Sequence, residues 1–439
     1  MYRNRNVLKI AWITEKRCKQ FLVYGTDEND LNVKVMANTT LIANFRDDMI
    51  DSMFSHTVIL ENLDSDTAYY YEFGGETFMS SIYHFRAPKQ RRAQLKIIVV
   101  SNLGFDDNSK MIVDRISKNI DKDPYLYDAL IDLGSDKLLT TSPSEVVRYF
   151  EKISKLTSKI PYHGLNRANY MVKEYLGREE RENEMYYLQT DTAQIVFLDS
   201  DIVFEDQNAN KFKEVEQVTL ANSIEDTGGW RFLLSDRPFY CSGYENLCKK
   251  YSDTMRDVYE KTIINNHFSM VISGGGGQYE RTYPVSYFKY DPIIDTTNNR
   301  NIKKPIYVTV NGAVSKDFPS RNQWTAVANG ATSFGVLTIY DDTEFHYSQY
   351  GSDGTMIDEV SVISAVRLKY KILLWVVYGA ITTSLIGFLI LIYNFDIFFP
   401  NKDINPLRRD SIELSDEGIS VLHEDGGIEL AELPKNLFK

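Results

Sequence analysis

Hydrophobic and polar positions alternate in short runs from Leu8 to about Pro88: LKIAWIT, FLVYG, NVKVM, SHTVILENL, AYYYEFGG and SIYHFRAP, with turn residues between them. A period of two turns one face of each run to a core and the other to water, so this region is expected to fold as a small β-sandwich. Past the linker Lys89 to Arg92 the pattern changes. LKIIVVSNLG and DALIDLGS are nearly continuous apolar runs, separated by a helical stretch around Lys110 to Ile120. Strands of that kind are covered on both faces, and their functional loops lie at their carboxyl ends. Further strands are expected at YYLQT, AQIVFLDSD, WRFLLS, FSMVISGG, PIYVTVNGA and FGVLTIYDD, with helices around Ser144 to Ser158 and Asp253 to Asn265.

A different pattern closes the chain. The run Ile372 to Tyr393 carries no charge and is long enough to cross a bilayer as a helix, with Trp375 and Tyr378 near one interface and Tyr393 near the other. The plainer alternative is a buried core helix. The expectation is a single transmembrane helix over 372–394, followed by a tail over 401–439 that mixes acids with Gly and Pro, shows no periodicity and is expected to be disordered. Arg367, Lys369 and Lys371 before the span balance Lys402, Arg408 and Arg409 after it, so basic residues do not set the orientation. The N-terminal stretch lacks the apolar core of a signal peptide, which favours a cytosolic domain or a missing true start. Against a cytosolic domain stand a cysteine pair and the sequon Asn38-Thr39-Thr40, which would be glycosylated at Asn38. The large domain is therefore expected outside the cell or in a lumen, with a short cytosolic tail.

Composition narrows the classes. With 43% hydrophobic residues in 439, the chain can bury more than one core. A net charge of −12 without a basic stripe excludes a nucleic-acid footprint. Cys241 and Cys248 form a C-x6-C pair that makes a poor zinc site; a disulfide is expected, with two free buried thiols as the alternative. Cys18 is left over and is expected to be a buried core thiol.

The strand-end loops are where a two-metal hydrolase would place oxygen and imidazole ligands around a bridging carboxylate. They read Ser101-Asn102-Leu103-Gly104, Gly134-Ser135-Asp136-Lys137-Leu138, Gly164-Leu165-Asn166-Arg167, LLSDRP ending on Asp236, and Gly274 to Gly277 before QYERTYPV. With WIT, FRAP, YYLQTDTAQIVFLDS, GGWRFLLSDRPFYCS and SFGVLTIYDDTEFHY in the same order, the chain from about Trp12 to Val362 resembles the purple acid phosphatases, a branch of the calcineurin-like metallophosphoesterases. The resemblance implies a fibronectin type III-like β-sandwich over 1–88 and a four-layer α/β/β/α metallophosphoesterase-like domain over 93–362.

An active family member would bind a dinuclear centre of iron plus zinc, manganese or a second iron through GDxG, GDxxY, GNH followed by Glu or Asp, VxxH and GHxH. This chain departs from nearly all of them. The first aspartate is Asn102, the bridging aspartate Ser135, the tyrosine Leu138, the metal asparagine Leu165 and the substrate histidine Asn166. The histidine of the fourth motif is Asp236, and both histidines of the fifth are glycines, Gly275 and Gly277. Asn102 and Asp236 remain as weak metal-ligand candidates, and Asp236 reads more simply as a surface acid beside Arg237. Asp132 and Asp136 flank Ser135, but Asp132 would lie within its strand and Asp136 would face the other side of the turn.

No other constellation repairs the loss. His56, His84 and His346 fall in strands and read as structural, and a new site from His163, His267 and Asp236 would require the fold to bring them together. The glycine run could cradle an anion, but no P-loop lysine follows it, and a flexible loop left after ligand loss is the simpler reading. In YERTYP the tyrosines are expected to pack and Glu280 to pair with Arg281. No metal cofactor is expected. The function implied is a membrane-anchored pseudophosphatase that binds a protein or glycan. The rivals are a divergent metal-dependent acid phosphatase using Asn102, Asp132 or Asp136, and Asp236, and an accessory subunit of a membrane complex whose span packs through Gly379, Thr382, Thr383, Ser384 and Gly387.

Overall fold

The computed structural model describes residues 7–43, 53–87, 94–134, 143–165, 185–198, 200, 203–204, 229–243, 246–292, 298–312 and 319–393, with short strands inside 412–430. The expectations placed on Ser135, Asp136, Leu138 and Asn166, and on much of the tail, lie outside the described residues.

The N-terminal strands form two facing sheets. β1 (Leu8–Thr14), β5 (Met53–Leu60) and β4 (Asn38–Ala43) make one, in the order β1-β5-β4. β3 (Val33–Met36), β2 (Phe21–Gly25), β6 (Ala68–Gly74) and β7 (Tyr83–Arg86) make the other, in the order β3-β2-β6-β7. Trp12, Leu22, Val58, Leu60, Tyr69, Tyr71 and Phe85 fill the space between them. The periodicity did not announce β4: Asn38-Thr39-Thr40 precede Leu41-Ile42-Ala43 without alternation, and pairing to β5 holds the strand. Buried His56 is structural, as expected: its ring nitrogens meet Thr14 Oγ1 at 2.8 Å and Thr39 Oγ1 at 2.9 Å, and the ring stacks on Trp12. Burial lowers its pKa and keeps the imidazole neutral. Cys18 departs from expectation: it is exposed, its thiol turned to the Lys16 carbonyl. It lies between strands, where no core face demands it.

Two seven-stranded mixed sheets follow. The first runs β10-β9-β8-β21-β22-β23-β18, from Tyr162–Gly164 through Ala129–Asp132, Leu95–Val100, Ser333–Ile339, Glu344–Gly351 and Met356–Ile363 to Asn298–Arg300. The second runs β11-β12-β13-β14-β19-β15-β20, from Met185–Gln189 through Ala193–Leu198, Trp230–Ser235, Met270–Ser273, Ile306–Thr309 and Tyr279–Thr282 to Thr325–Asn329. LKIIVV shows why the runs are apolar throughout: Ile97 and Val99 face the core between the sheets, while Ile98 and Val100 face helices on the outside. Helices α1 (Asp107–Lys122) and α2 (Pro143–Thr157) cover the first sheet, and α3 (Asn246–Asn265) covers the second, giving four layers. Asp106 caps α1 by accepting from the Ser109 N–H at 2.8 Å, and Ile112, Ile116 and Ile120 form its buried stripe.

Residues 370–439 form a second unit. Helix α4 (Ala365–Tyr393) begins in the first. There the Arg367 guanidinium lies 5.0 Å over the Trp230 ring and donates to the Asp342 and Gly229 carbonyls at 3.0 and 3.2 Å. Trp230 opens β13, so the start of α4 sits at the amino ends of the parallel strands, opposite their carboxyl-end loops. The stretch Lys369–Ile392 is long and apolar enough to cross a membrane and has 0% of its apolar window buried, unlike a core helix. In the tail, β24 (Ile412–Ser415), β25 (Gly418–Leu422) and β26 (Ile428–Leu430) pair antiparallel. IELS, ISVL and IEL do alternate, over runs too short to stand out among the acids.

Candidate functional site

The carboxyl ends of β8, β9, β13, β14 and β19 gather the loops that the sequence singled out, and they meet backbone to backbone. Asn102, buried just past β8, takes a left-handed φ of 52°, which asparagine tolerates better than most residues, and donates its N–H to the Gly134 carbonyl at 2.9 Å. Gly134, past β9, has φ 89°; a Cβ there would stand 2.3 Å from the Leu165 carbonyl oxygen. Leu165 itself packs into the core between the sheets.

Asp236, at the end of β13, corrects the expectation of a surface acid. It is buried; its Oδ1 accepts from the Ser200 N–H at 2.9 Å, and its Oδ2 lies 3.8 Å from Arg237 Nη1. Arg237 donates to Ser200 Oγ at 2.6 Å, and its guanidinium lies 4.2 Å over the Phe204 ring and 4.9 Å over the Tyr251 ring. The carboxylate is thereby committed to a local network.

The glycine run is packed, contrary to the flexible loop expected. A Cβ on Gly274 would stand 2.5 Å from Ser101 Oγ, one on Gly275 2.9 Å from the Asp236 carbonyl oxygen, and one on Gly276 2.3 Å from Thr309 Cγ2. Gly275 and Gly277 also have left-handed φ values of 73° and 69°. The backbone of the loop lies hard against its neighbours, and only glycine allows so close an approach.

Beneath it lies a feature the sequence reading weighed only as a displaced ligand. Asp132 ends β9 fully buried, accepting from the Tyr149 hydroxyl, from Tyr162 Oη at 3.2 Å and from the Gly134 N–H at 3.0 Å. Burial raises its pKa, and these donors offset only part of the rise. The signal was visible: a carboxylate inside the apolar run ALID needs partners.

His267 follows α3 and precedes β14, at the opposite end of that strand from the loop, while His163 rests on the Phe197 ring at 5.6 Å. The three-residue site with Asp236 therefore does not assemble. His84 stands half-buried beside Tyr70 and Tyr125, and His346 bonds Glu344 Oε1 at 2.7 Å. Among the described residues no group of three or more His, Cys, Asp or Glu could hold a metal ion. Asn102, Leu165, Asp236, Gly275 and Gly277 do not fit a two-metal centre, which needs several charged or imidazole donors converging on open space.

Glu280 and Arg281 do not pair with each other. Neighbours on a strand face opposite ways. Glu280 accepts from Ser242 Oγ at 2.6 Å, the Ser242 N–H at 2.8 Å and Thr325 Oγ1 at 2.7 Å. Arg281 instead forms a two-point pair with Asp358 at 2.6 and 3.0 Å, joined by the Tyr279 hydroxyl at 2.6 Å. Cys241 and Cys248 are disulfide-linked, with Cα atoms 6.0 Å apart, beside the glycine loop.

The purple acid phosphatase N-terminal domain matches residues 3–87. Purple acid phosphatase 18 of Arabidopsis thaliana is 20% identical over 387 residues, 82% of each chain. Among solved structures, the purple acid phosphatase PPD1 from yellow lupin (Lupinus luteus) seeds superposes with a TM-score of 0.69 at 17% identity, covering 82% of this chain and 73% of that one. PhoD superposes with a TM-score of 0.53 at 10% identity, over 77% and 85%. These structures share the fold. With the sandwich matched by the family's N-terminal domain and the two mixed sheets between helices superposing on a purple acid phosphatase, the chain is similar to the purple acid phosphatases and has their fold.

Proposed function

We propose that this chain is a pseudophosphatase: a purple acid phosphatase scaffold, anchored in a membrane by α4, that binds a protein or glycan instead of hydrolysing phosphomonoesters. The observation that carries the reading is the glycine loop, whose backbone is packed against Ser101, Asp236 and Thr309 where a metal site needs projecting imidazoles. The donor chemistry agrees with it. An amide at Asn102 is a far weaker ligand than a carboxylate, Leu165 offers none, and the Asp236 carboxylate already serves Ser200. Without two cations there is no activated hydroxide and no clamp for a phosphoryl group.

The exposed apolar stretch Lys369–Ile392 supports the anchor. The Cys241–Cys248 disulfide and the exposed Asn38 sequon support a lumenal or extracellular domain. For the accessory-subunit alternative, the hydroxyls of Thr382 and Thr383 already bond back to carbonyls of their own helix, which weakens them as contacts to a neighbouring span.

The test is metal analysis by plasma emission of the full chain purified in detergent, with p-nitrophenyl phosphate turnover at acid and neutral pH. Sub-stoichiometric metal and no turnover are expected. About two metals per chain, with turnover abolished in Asp236→Ala, would establish a divergent phosphatase instead.

A further inference from the structure

We propose that the hollow between the sandwich and the loop joining α1 to β9 is a binding site for an alkylammonium cation, a quaternary or protonated amine carried by a small molecule or by a lysine side chain of a partner. Glu28, Tyr70, Ile82, His84, Pro124 and Tyr125 line a volume of about 240 Å³ there. The hollow lies at the amino end of β9, opposite the carboxyl-end loops, so the inference stands whether or not the chain hydrolyses phosphate.

The pleat sets two of the rings on one face. On β6 and β7 the side chains of Tyr69, Tyr71, Tyr83 and Phe85 turn into the sandwich core, so Tyr70 and its cross-strand partner His84 point outward. Gly25 pairs with Tyr70 from the other side, and a Cβ there would stand 2.4 Å from the Asp30 carbonyl oxygen; the turn between β2 and β3 therefore folds close and brings Glu28 to the hollow. Asp27 fixes that turn, its carbonyl accepting from the Asp30 N–H at 3.1 Å and its Oδ1 from the Asn29 N–H at 2.9 Å. The α/β domain supplies the remaining wall. The Tyr125 ring meets His84 edge-on at 6.2 Å, and His84 lies 6.3 Å from Tyr70. Arg86, paired with Asp66 at 2.9 Å, lies 4.7 Å over the Tyr125 ring and holds it in place. The walls are thus set before any ligand arrives, which lowers the cost of binding.

The groups present favour a cation. Burial lowers the His84 pKa, with Lys159 acting in the same direction and Glu28 against it, so the imidazole is neutral at neutral pH. Lys159 and Arg86 are themselves neutralised, by Asp121 at 2.8 Å and by Asp66. Glu28 is exposed and has no hydrogen bond or ion pair among the described residues, which leaves its carboxylate as the uncompensated charge at the hollow. Aromatic faces attract an ammonium group through their quadrupole, and among the described residues no cation lies over Tyr70 or His84. Elsewhere the chain fills such a position itself: Arg256 lies 4.5 Å over the Phe288 ring at the turn between β16 (Val285–Ser286) and β17 (Lys289–Tyr290). A sugar would ask for more hydrogen-bonding groups. His84 Nε2 is sealed from solvent, and the Tyr125 hydroxyl already engages Tyr70.

The test is saturation-transfer NMR on the full chain in dodecyl maltoside, a detergent without an ammonium headgroup. The probes are choline, acetylated trimethyl-lysine amide, and the uncharged tert-butyl analogue of choline. Saturable binding of the two ammonium probes is expected, several-fold tighter than that of the uncharged analogue. Glu28→Gln, in an exposed turn, is expected to weaken it about tenfold without changing the melting temperature, and Tyr125→Leu to weaken it as well. Tighter binding of choline points to a small molecule or a lipid headgroup as the source, and tighter binding of the lysine derivative to a protein partner; either result supports the site. No saturable binding of either ammonium probe overturns the proposal, as does equal binding of the uncharged analogue, which would make the hollow merely apolar. Binding indifferent to both Glu28→Gln and Tyr125→Leu places the ligand elsewhere and also overturns it. Saturable binding of mannose or N-acetylglucosamine that Tyr125→Leu abolishes, with none of the ammonium probes, would replace the cation site by a glycan site.

Discussion

At the scale of residues, Asp132 is a buried acid near the site whose pKa is raised by burial. Its carboxyl is sealed from water, and burial raises its pKa despite three donors. A carboxyl whose folded pKa exceeds its unfolded value contributes stability that is fully present below about pH 4, near the ordinary aspartate value, and is lost as pH rises through the folded value. Asp132→Asn removes that titration and keeps the shape. Melting temperatures recorded from acid to neutral pH are therefore expected to show the variant gaining on the parent as pH rises. A constant offset between the two would mean that Asp132 does not titrate in that window. Glu280, raised by burial in the same direction, lies on β15 of the other sheet and is tested separately with Glu280→Gln.

At the scale of elements, the glycine loop after β14 and the helix α4 show two ways in which a segment becomes specialised. The loop is built of glycines, so that its backbone lies close against its neighbours. Restoring the family pattern with Gly275→His should consequently fail as a repair. The new Cβ would stand 2.9 Å from the Asp236 carbonyl oxygen at a left-handed φ of 73°, so the variant is expected to lose about 1–3 kcal/mol and recruit no metal. Thermal melts and metal analysis check both. A variant that melts like the parent and takes up metal would mean that the loop opens readily. Helix α4 is specialised by composition: its apolar side chains face outward all round, and inside the helix its hydroxyls bond to its own carbonyls.

At the scale of the whole molecule, the two sheets are joined by apolar packing and, among the polar contacts of the described residues, by a buried ion pair. Asp358 on β23 of the first sheet receives Arg281 and Tyr279 from β15 of the second, with the Arg281 side chain 2% and the Asp358 side chain 6% exposed. Removing one partner of such a pair leaves an uncompensated buried charge. Asp358→Ala is thus expected to cost about 3–5 kcal/mol, read from denaturant unfolding, whereas a loss under about 1 kcal/mol would mean that water reaches the guanidinium. The sandwich is docked more lightly: the Tyr71 hydroxyl donates to the Ser158 carbonyl at 2.8 Å, and Met53 enters the core beneath α1 and α2.

The sequence by itself determined what depends on neighbours along the chain. Alternation marked the sandwich strands, continuous apolar runs marked strands buried on both faces, and the uncharged run after Lys371 marked α4, because burial and lipid solubility act on each segment through its own periodicity. The loops at the strand ends were also legible, since each follows a strand that its own apolar run marks. Only the tertiary structure decided which side chains meet. Asp236 looked like a surface acid until Ser200 and Arg237 closed around it, and Glu280 and Arg281 were parted by the pleat toward Ser242 and Asp358. Cys18 proved exposed, and Gly274, Gly275 and Gly276 proved tightly packed. A buried polar group is satisfied by whichever segment the fold brings to it, here 36 to 77 positions away, and no local pattern encodes that distance.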